Sequence, residues 1–273
     1  VTASIALTIA GSDPSGGAGI QADLKAFSAL GAYGTAVLTA LTAQSTRGVF
    51  GVHPVPPEFL RQQLDVLLDD LDVRAVKIGM LGSAPLARTV AEVLRRAQAG
   101  PVVLDPVMVA TSGDRLLDDD AVEVIARELL PLADLVTPNA PEAAVLLGEP
   151  TAPHAEAAVA QAEELHRRGA KAVLLKGGHF GGTTSTDVLV DAGGTRLLQR
   201  ERIDTPHTHG TGCTLSSAIA ALAAVRGAPA GGDWHGLVAE ARDYLHAALL
   251  AGRDLHVGGG HGPVHHFHPW WPA

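Results

Sequence analysis

The sequence predicts an α/β protein built on a mostly parallel central sheet with helices on both faces. Apolar runs rich in Val, Ile, Leu and Thr alternate with amphipathic segments along the chain, and no internal repeat or long linker interrupts them. A single pair of β-like runs late in the chain breaks the alternation and reads as an antiparallel hairpin at the sheet edge. The length of 273 residues suits one extended α/β domain over 1–273.

The elements follow in order. Ile5 to Gly11 is a continuous apolar run, expected as a buried strand. A glycine-rich loop and a helix from Ile20 to Leu30 come next, then a strand over Tyr33 to Gln44. Pro56-Pro57-Glu58 opens a helix whose Phe59, Leu60, Leu64, Leu67, Leu68 and Leu71 recur at helical spacing. The sheet resumes at Ala75 to Leu81, followed by a helix over Ala84 to Ala97 and a strand over Pro101 to Pro106. Then come a helix near Ala121 to Leu130, a strand at Leu135 to Thr137, helices at Pro141 to Leu147 and Ala155 to Arg168, and a strand at Lys171 to Lys176. Two runs within Asp187 to Ile203, joined by Asp191-Ala192-Gly193-Gly194, form the hairpin. Helices from Thr214 to Ala224 and from Leu237 to Leu250 complete the pattern. The His/Trp-rich tail, His256 to Ala273, reads as irregular and flexible, and its His261, His265, His266 and His268 carry no metal expectation.

Composition excludes several classes. Net charge is −9 and no dense Lys/Arg patch with interleaved aromatics occurs, so nucleic-acid binding is not expected. One cysteine cannot build an intramolecular disulfide framework or a Cys-rich zinc site, which fits a cytoplasmic location. The apolar runs near Val1 and Leu38 fall short of the ~20 residues of a membrane span, and no basic segment precedes Ile5.

Polar residues at strand ends are the candidate site, because ligands collect at the carboxyl ends of strands in open α/β sheets. Asp105 ends an apolar strand and precedes Pro106; left ionised and unpaired there it would cost several kcal/mol. Asn139 and Glu142 have the spacing of a capping box, which can also aim Glu142 at a cation. Two carboxylates at adjacent strand ends suit Mg²⁺. Lys176, beside Gly177 and Gly178, can meet a nucleotide phosphate or lie solvated at the rim. Asp13 and Asp23 read as capping or surface groups, and His179, His207 and His209 have no spacing that demands a metal.

Two glycine-rich segments need separate treatment. Gly17-Ala18-Gly19-Ile20-Gln21-Ala22 fits the dinucleotide fingerprint, but at the second strand end, roughly 20 positions on, the chain has Thr42-Ala43-Gln44-Ser45 and no acid until Glu58, and no Gly-Lys-Ser/Thr ending makes it a P-loop. Its glycines instead allow close approach of a small substrate, with Gln44 able to pair with a heterocycle edge or with loop backbone. The run His209-Gly210-Thr211-Gly212-Cys213 precedes a small, apolar helix; taken alone it reads equally as an anion site at the first helical amides or as a glycine linker with Cys213 as a small core residue. Cys213 at that helix start is expected to ionise more easily.

Together, residues 10–23, Thr42-Ala43-Gln44, Leu104-Asp105-Pro106-Val107-Met108, Thr137-Pro138-Asn139-Ala140-Pro141-Glu142, Leu175-Lys176-Gly177-Gly178-His179 and the His209 to Cys213 run resemble hydroxymethylpyrimidine and hydroxymethylpyrimidine phosphate kinases of thiamine biosynthesis, in order from Ile5 to Ala224. The resemblance implies a ribokinase-like three-layer fold, a homodimer, and ATP- and Mg²⁺-dependent phosphorylation of 4-amino-5-hydroxymethyl-2-methylpyrimidine and then of its monophosphate. It places the pyrimidine near Gly11, Asp23, Gln44, Met80 and Val107, the metal at Asp105 and Glu142, and nucleotide phosphates at Lys176. The Gly210, Thr211 and Gly212 amides would hold the transferring phosphoryl group, and Cys213 would be the base where the wider superfamily usually has aspartate. A pyridoxal kinase of the same superfamily and a non-catalytic thiamine-precursor binding protein are the competing readings.

Overall fold

A computed structural model of the chain describes residues 2–97, 99–109 and 117–271. In chain order it runs β1 (Ile5–Ala10), α1 (Gly19–Ala29), β2 (Tyr33–Leu38), β3 (Ala40–Ser45), β4 (Gly48–Pro54), α2 (Pro57–Asp70), β5 (Val73–Ile78), α3 (Ala84–Arg96) and β6 (Val102–Leu104). There follow α4 (Asp119–Val124), β7 (Leu135–Val136), α5 (Ala140–Leu147), α6 (Ala155–Arg167), β8 (Val173–Leu175), β9 (Thr184–Asp191), β10 (Gly194–Glu201), α7 (Thr211–Arg226) and α8 (His235–Gly252). Eight strands form one sheet in the order β10-β9-β8-β7-β6-β5-β1-β2. The strands from β8 to β2 pair in parallel, and the β9–β10 hairpin adds the antiparallel edge that the sequence predicts.

Strand periodicity sorts the core into two layers. Leu7, Ile9, Val76, Ile78, Val102, Leu104, Val173 and Leu175 face the layer containing α2 to α6. Ala6, Ala75, Val103, Ala172 and Leu174 face α1, α7 and α8. The small residues on this second face meet an equally small helix, with Ala218, Ala220, Ala221, Ala223 and Ala224 of α7 buried. Helix and sheet therefore approach closely, and the start of α7 lies at the strand ends.

A polar network crosses this apolar face. Thr8 and Lys77 are neighbours in the β1–β5 register, and both reach Asp23 of α1. The Asp23 carboxylate accepts from Thr8 Oγ1 at 2.6 Å, from Lys77 Nζ at 2.8 and 3.0 Å, and from Ser217 Oγ of α7 at 2.6 Å. Asp23 and Lys77 are both fully buried. Asp23 was expected beside the pyrimidine; instead four bonds commit its carboxylate to joining α1, α7 and the sheet, and it does not line the cleft described below.

Two further expectations need correction. The single strand expected over Tyr33 to Gln44 breaks at Thr39, which turns inward to donate its hydroxyl to Met80 O at 2.7 Å. Beyond it β3 leaves the main sheet and pairs antiparallel with β4, a strand the periodicity did not indicate, so Gln44 sits on a separate two-stranded hairpin. The tail is irregular, yet not loose: Val264, His265 and His266 are buried. Its backbone bonds Thr46 through His261 N at 2.9 Å, His209 through Gly262 O at 3.1 Å and Ala248 through His265 N at 2.9 Å. The last two tail residues lie outside the described residues.

Removing one member of a fully buried ion pair strands the other charge. Lys77→Met is expected to lower the free energy of unfolding by about 3–5 kcal/mol in urea, with Lys77→Met/Asp23→Leu recovering part of that loss. A single variant as stable as the parent chain would deny the pair its structural role.

Candidate active site

The ends of β1, β5, β6 and β8, the β3–β4 hairpin, the β9–β10 edge, and α7 and α8 enclose one cleft of about 660 Å³. Its floor is the start of α7. Gly210 caps that helix at φ 76°, where a Cβ would lie 1.9 Å from Gly17 O, so the two glycine-rich loops touch backbone to backbone. Thr214 holds the turn, its N–H and its hydroxyl each donating to Gly210 O at 2.8 Å. The Gly212 and Cys213 amides precede Thr214 N, the first to donate within the helix, and carry the positive end of the helix dipole. A Cβ on Gly212 would stand 3.4 Å from Lys176 Nζ and 3.6 Å from Asp105 Oδ2, which places the anion cradle against the charged strand ends.

Those strand ends form a buried cluster. Asp105 follows β6 and accepts from Lys176 Nζ at 2.7 Å, Thr137 Oγ1 at 3.2 Å and Ser216 Oγ of α7 at 3.2 Å. Asn139 and Glu142 make the expected capping box, with Glu142 N donating to Asn139 Oδ1 and Asn139 N to Glu142 Oε2, both at 2.8 Å. That box holds Glu142 Oε2 at 3.8 Å from Lys176 Nζ. One ammonium thus faces two carboxylates. Burial, with the Asp105 charge adding to it, pushes Glu142 up to about 7 against the opposing Lys176 charge and the Asn139 and Met108 amides. Burial would lower Lys176, but Asp105 and Glu142 outweigh it and hold the lysine charged. Among the described residues no group of three His, Cys, Asp or Glu side chains is placed to hold a metal unaided. Two hard oxygen donors with excess negative charge nevertheless fit a Mg²⁺ ion that takes its remaining ligands from phosphates and water.

Cys213 lines the cleft, and its expected easy ionisation is reversed. Burial pushes the thiol up to about 11, with Asp23 and Asp105 adding to the rise; the Lys77 charge and a Gly19 backbone hydrogen bond pull the other way without overcoming it. The helix terminus alone does not make a thiolate here.

Gly11, Gln44, Met80 and Val107 line the same cleft as Lys176, Thr211 and Gly212. Thr42 Oγ1 donates to Ser12 O at 2.9 Å and lies 3.2 Å from Gln44 Oε1, so the Gln44 amide keeps hydrogen-bonding capacity for a ligand. Three groups on the cleft wall were not assigned to the site from sequence. Lys77 was hidden inside an apolar strand, where a lysine is itself the signal. Asp13 does cap its loop, but it is buried rather than at the surface, and it meets His209 Nε2 at 2.8 Å. The far wall, with Arg200, Arg202, Arg242, His246 and Leu249, comes from the hairpin and α8, which carry no motif.

Residues 13–265 match the family model described as phosphomethylpyrimidine kinase. The chain belongs to that family. Hydroxymethylpyrimidine/phosphomethylpyrimidine kinase of Rhizobium meliloti is 53% identical over 267 residues, covering 98% of each chain. The Escherichia coli protein of the same name is 51% identical over 266 residues, covering 97% of this chain and 98% of its own. Among solved structures, phosphomethylpyrimidine kinase from Clostridium difficile superposes with a TM-score of 0.77 at 40% identity, covering 89% of this chain and 98% of that one. Pyridoxal kinase from Staphylococcus aureus in complex with AMP-PCP and pyridoxal gives 0.86 at 32% identity, covering 98% and 94%. The fold of this phosphomethylpyrimidine kinase family member is the ribokinase-like α/β/α sandwich.

A carboxyl that binds its proton more tightly when folded contributes stability at low pH, and that contribution is lost as pH rises through the folded value. With Glu142 moved from 4.5 to about 7, unfolding free energy should fall between those pH values more steeply in the parent chain than in Glu142→Gln. Identical slopes in urea titrations would contradict the raised value.

Proposed function

We propose that this chain, as a single kinase domain, transfers the γ-phosphoryl group of ATP to the hydroxymethyl group of 4-amino-5-hydroxymethyl-2-methylpyrimidine, and then to the phosphate of the monophosphate, in thiamine biosynthesis. The observation that carries the reading is the meeting, in one cleft, of a heterocycle wall and a phosphate cradle. Gly11, Gln44, Met80 and Val107 form the first, and Lys176, Asp105 and the Gly210 to Cys213 amides the second. Two or three amides aimed at one point, beside an ammonium, suit a phosphoryl group that gains charge on its oxygens during transfer.

In this mechanism Gln44 orients the ring through its amide, and Met80 and Val107 exclude water from its faces. The nucleotide enters along the wall that contains Arg202, His246 and Leu249, and Lys176 meets its phosphates. Asp105 and Glu142 would hold Mg²⁺, which would supply neutralisation of phosphate charge when bound. Phosphoryl transfer needs positioning and charge stabilisation more than a strong base. Cys213 takes the hydroxyl proton as the new O–P bond forms, and a thiol near 11 makes that step improve as pH rises.

The S. aureus pyridoxal kinase has the higher TM-score, which favours pyridoxal as a second substrate class. Identity points the other way, because the pyrimidine kinases share about half of their residues with this chain over nearly its full length. A homodimer and a cytoplasmic location belong to the same reading. Leu41, Phe50 and Val52 lie exposed on the β3–β4 hairpin and support the first; among the described residues no helix is long and apolar enough to cross a membrane.

ATP turnover measured side by side with the hydroxymethylpyrimidine, its monophosphate and pyridoxal should give the highest kcat/KM for the two pyrimidines. Preference for pyridoxal would replace the reading with its competitor. Cys213→Ser should lower kcat about 10²- to 10⁴-fold with little change in Tm, and should flatten the rise of kcat toward pH 11. A parent-like kcat in this variant would remove Cys213 from the base role.

A further inference from the structure

Asp13 and His209 take no part in the chemistry above, yet they make the buried contact between the two loops that face each other across the reaction centre. Asp13 is 1% exposed and His209 7%. Oδ1 of Asp13 accepts from Ser15 N at 2.9 Å and Ser15 Oγ at 2.7 Å. Oδ2 accepts from Ala18 N at 2.8 Å and Gly17 N at 3.2 Å, and bonds His209 Nε2 at 2.8 Å. The carboxylate therefore has its acceptor capacity filled. It shapes the loop that carries Gly11 to Gly19 and at the same time grips the residue before the phosphate cradle.

The packing around the pair leaves no slack. The His209 ring lies on Gly17, where a Cβ would come within 2.4 Å of its Cδ2, and Gly210 lies on the Gly17 carbonyl. On the other side the tail braces the same turn. His209 N donates to Gly262 O at 3.1 Å, and His266 Nε2 meets Thr214 Oγ1 at 3.0 Å. Because that hydroxyl donates to Gly210 O, His266 is the donor to it.

We propose that Asp13 and His209 form a positioning clasp that sets the distance and angle between the substrate loop and the Gly210 to Cys213 cradle. The proposal rests on the phosphoryl-transfer reading of the cleft. A small misplacement of reacting groups can cost about a hundredfold in rate without touching the chemistry itself. The nucleotide wall at Arg202, His246 and Leu249 stands apart from the clasp, so loosening the clasp lowers kcat and leaves the KM for ATP in place.

His209→Ala should lower kcat between about tenfold and a hundredfold, with the KM for ATP within about threefold of the parent chain. His209→Gln, whose amide nitrogen can reach the position of Nε2, should recover most of the loss. Asp13→Asn/His209→Ala should be no slower than the worse single variant, since both break one contact. Hydrogen exchange at the Gly17 and Gly212 to Thr214 amides should quicken in His209→Ala and return in His209→Gln. A His209→Ala kcat within about threefold of the parent, or a His209→Gln variant with parental Tm but no recovery of rate, would overturn the clasp. Absence of turnover by the parent chain with both pyrimidines and pyridoxal would instead overturn the kinase reading. The exchange comparison judges the clasp in that case, and unchanged exchange would overturn it.

Discussion

The buried Asp23–Lys77 pair is the constraint on which the architecture depends. An ion pair at full burial gains little net stability over apolar residues of similar volume, because desolvation offsets the attraction. What it does is restrict alternatives. Asp23 of α1 has to find Lys77 on β5, Thr8 on β1 and Ser217 on α7 at once. A shift of α7 by one turn against the sheet would take the Ser217 hydroxyl away from the buried Asp23 carboxylate. The buried face of α7 is rich in alanine with Leu215, Ile219 and Leu222 among them, and the polar network adds a directional constraint to the register that their packing sets. That register puts Gly210 against Gly17 and Gly212 beside Lys176 and Asp105.

Most of the layered fold was legible in the sequence because buried parallel strands are continuous apolar runs and their helices carry a strong period. β3 and β4 were not. Leu41, Phe50 and Val52 are exposed, so the hairpin lacks the buried face from which a strand pattern arises, and the break at Thr39 is made by a side chain that bonds backbone rather than by Gly or Pro. The tail misled for a related reason. Its glycines and histidines resemble a flexible end, yet it is held by scattered bonds to Thr46, His209, Thr214 and Ala248, none of which has a period.

Site legibility divides along the same line. Asp105 and Lys176 stood out as charges at the ends of apolar strands and Glu142 as the carboxylate of a capping box, and the structure brings the three side chains together. Asp23 read as a capping or surface group, or by resemblance as a neighbour of the pyrimidine; its core network was not legible because its partner Lys77 lies 54 residues away in sequence. Cys213 shows the limit of reasoning from local structure. A helix terminus favours the thiolate, but two buried carboxylates and the loss of water act in the opposite direction and are stronger.

These charges also explain how the cleft can discriminate between an idle and an occupied state. Lys176 is committed to Asp105 at 2.7 Å, Glu142 is held near neutrality by burial, and Cys213 keeps its proton. Burial acts on Glu142 and Cys213 first, and the Asp105 charge adds to it at both. In the proposed mechanism a cation held by Asp105 and Glu142 would offset part of that negative charge, which would favour the ionised form of Glu142 and weaken the hold of Asp105 on Lys176. Lys176 would then be free to turn toward a phosphate, and the residue at the helix start would approach the state in which it can accept a proton.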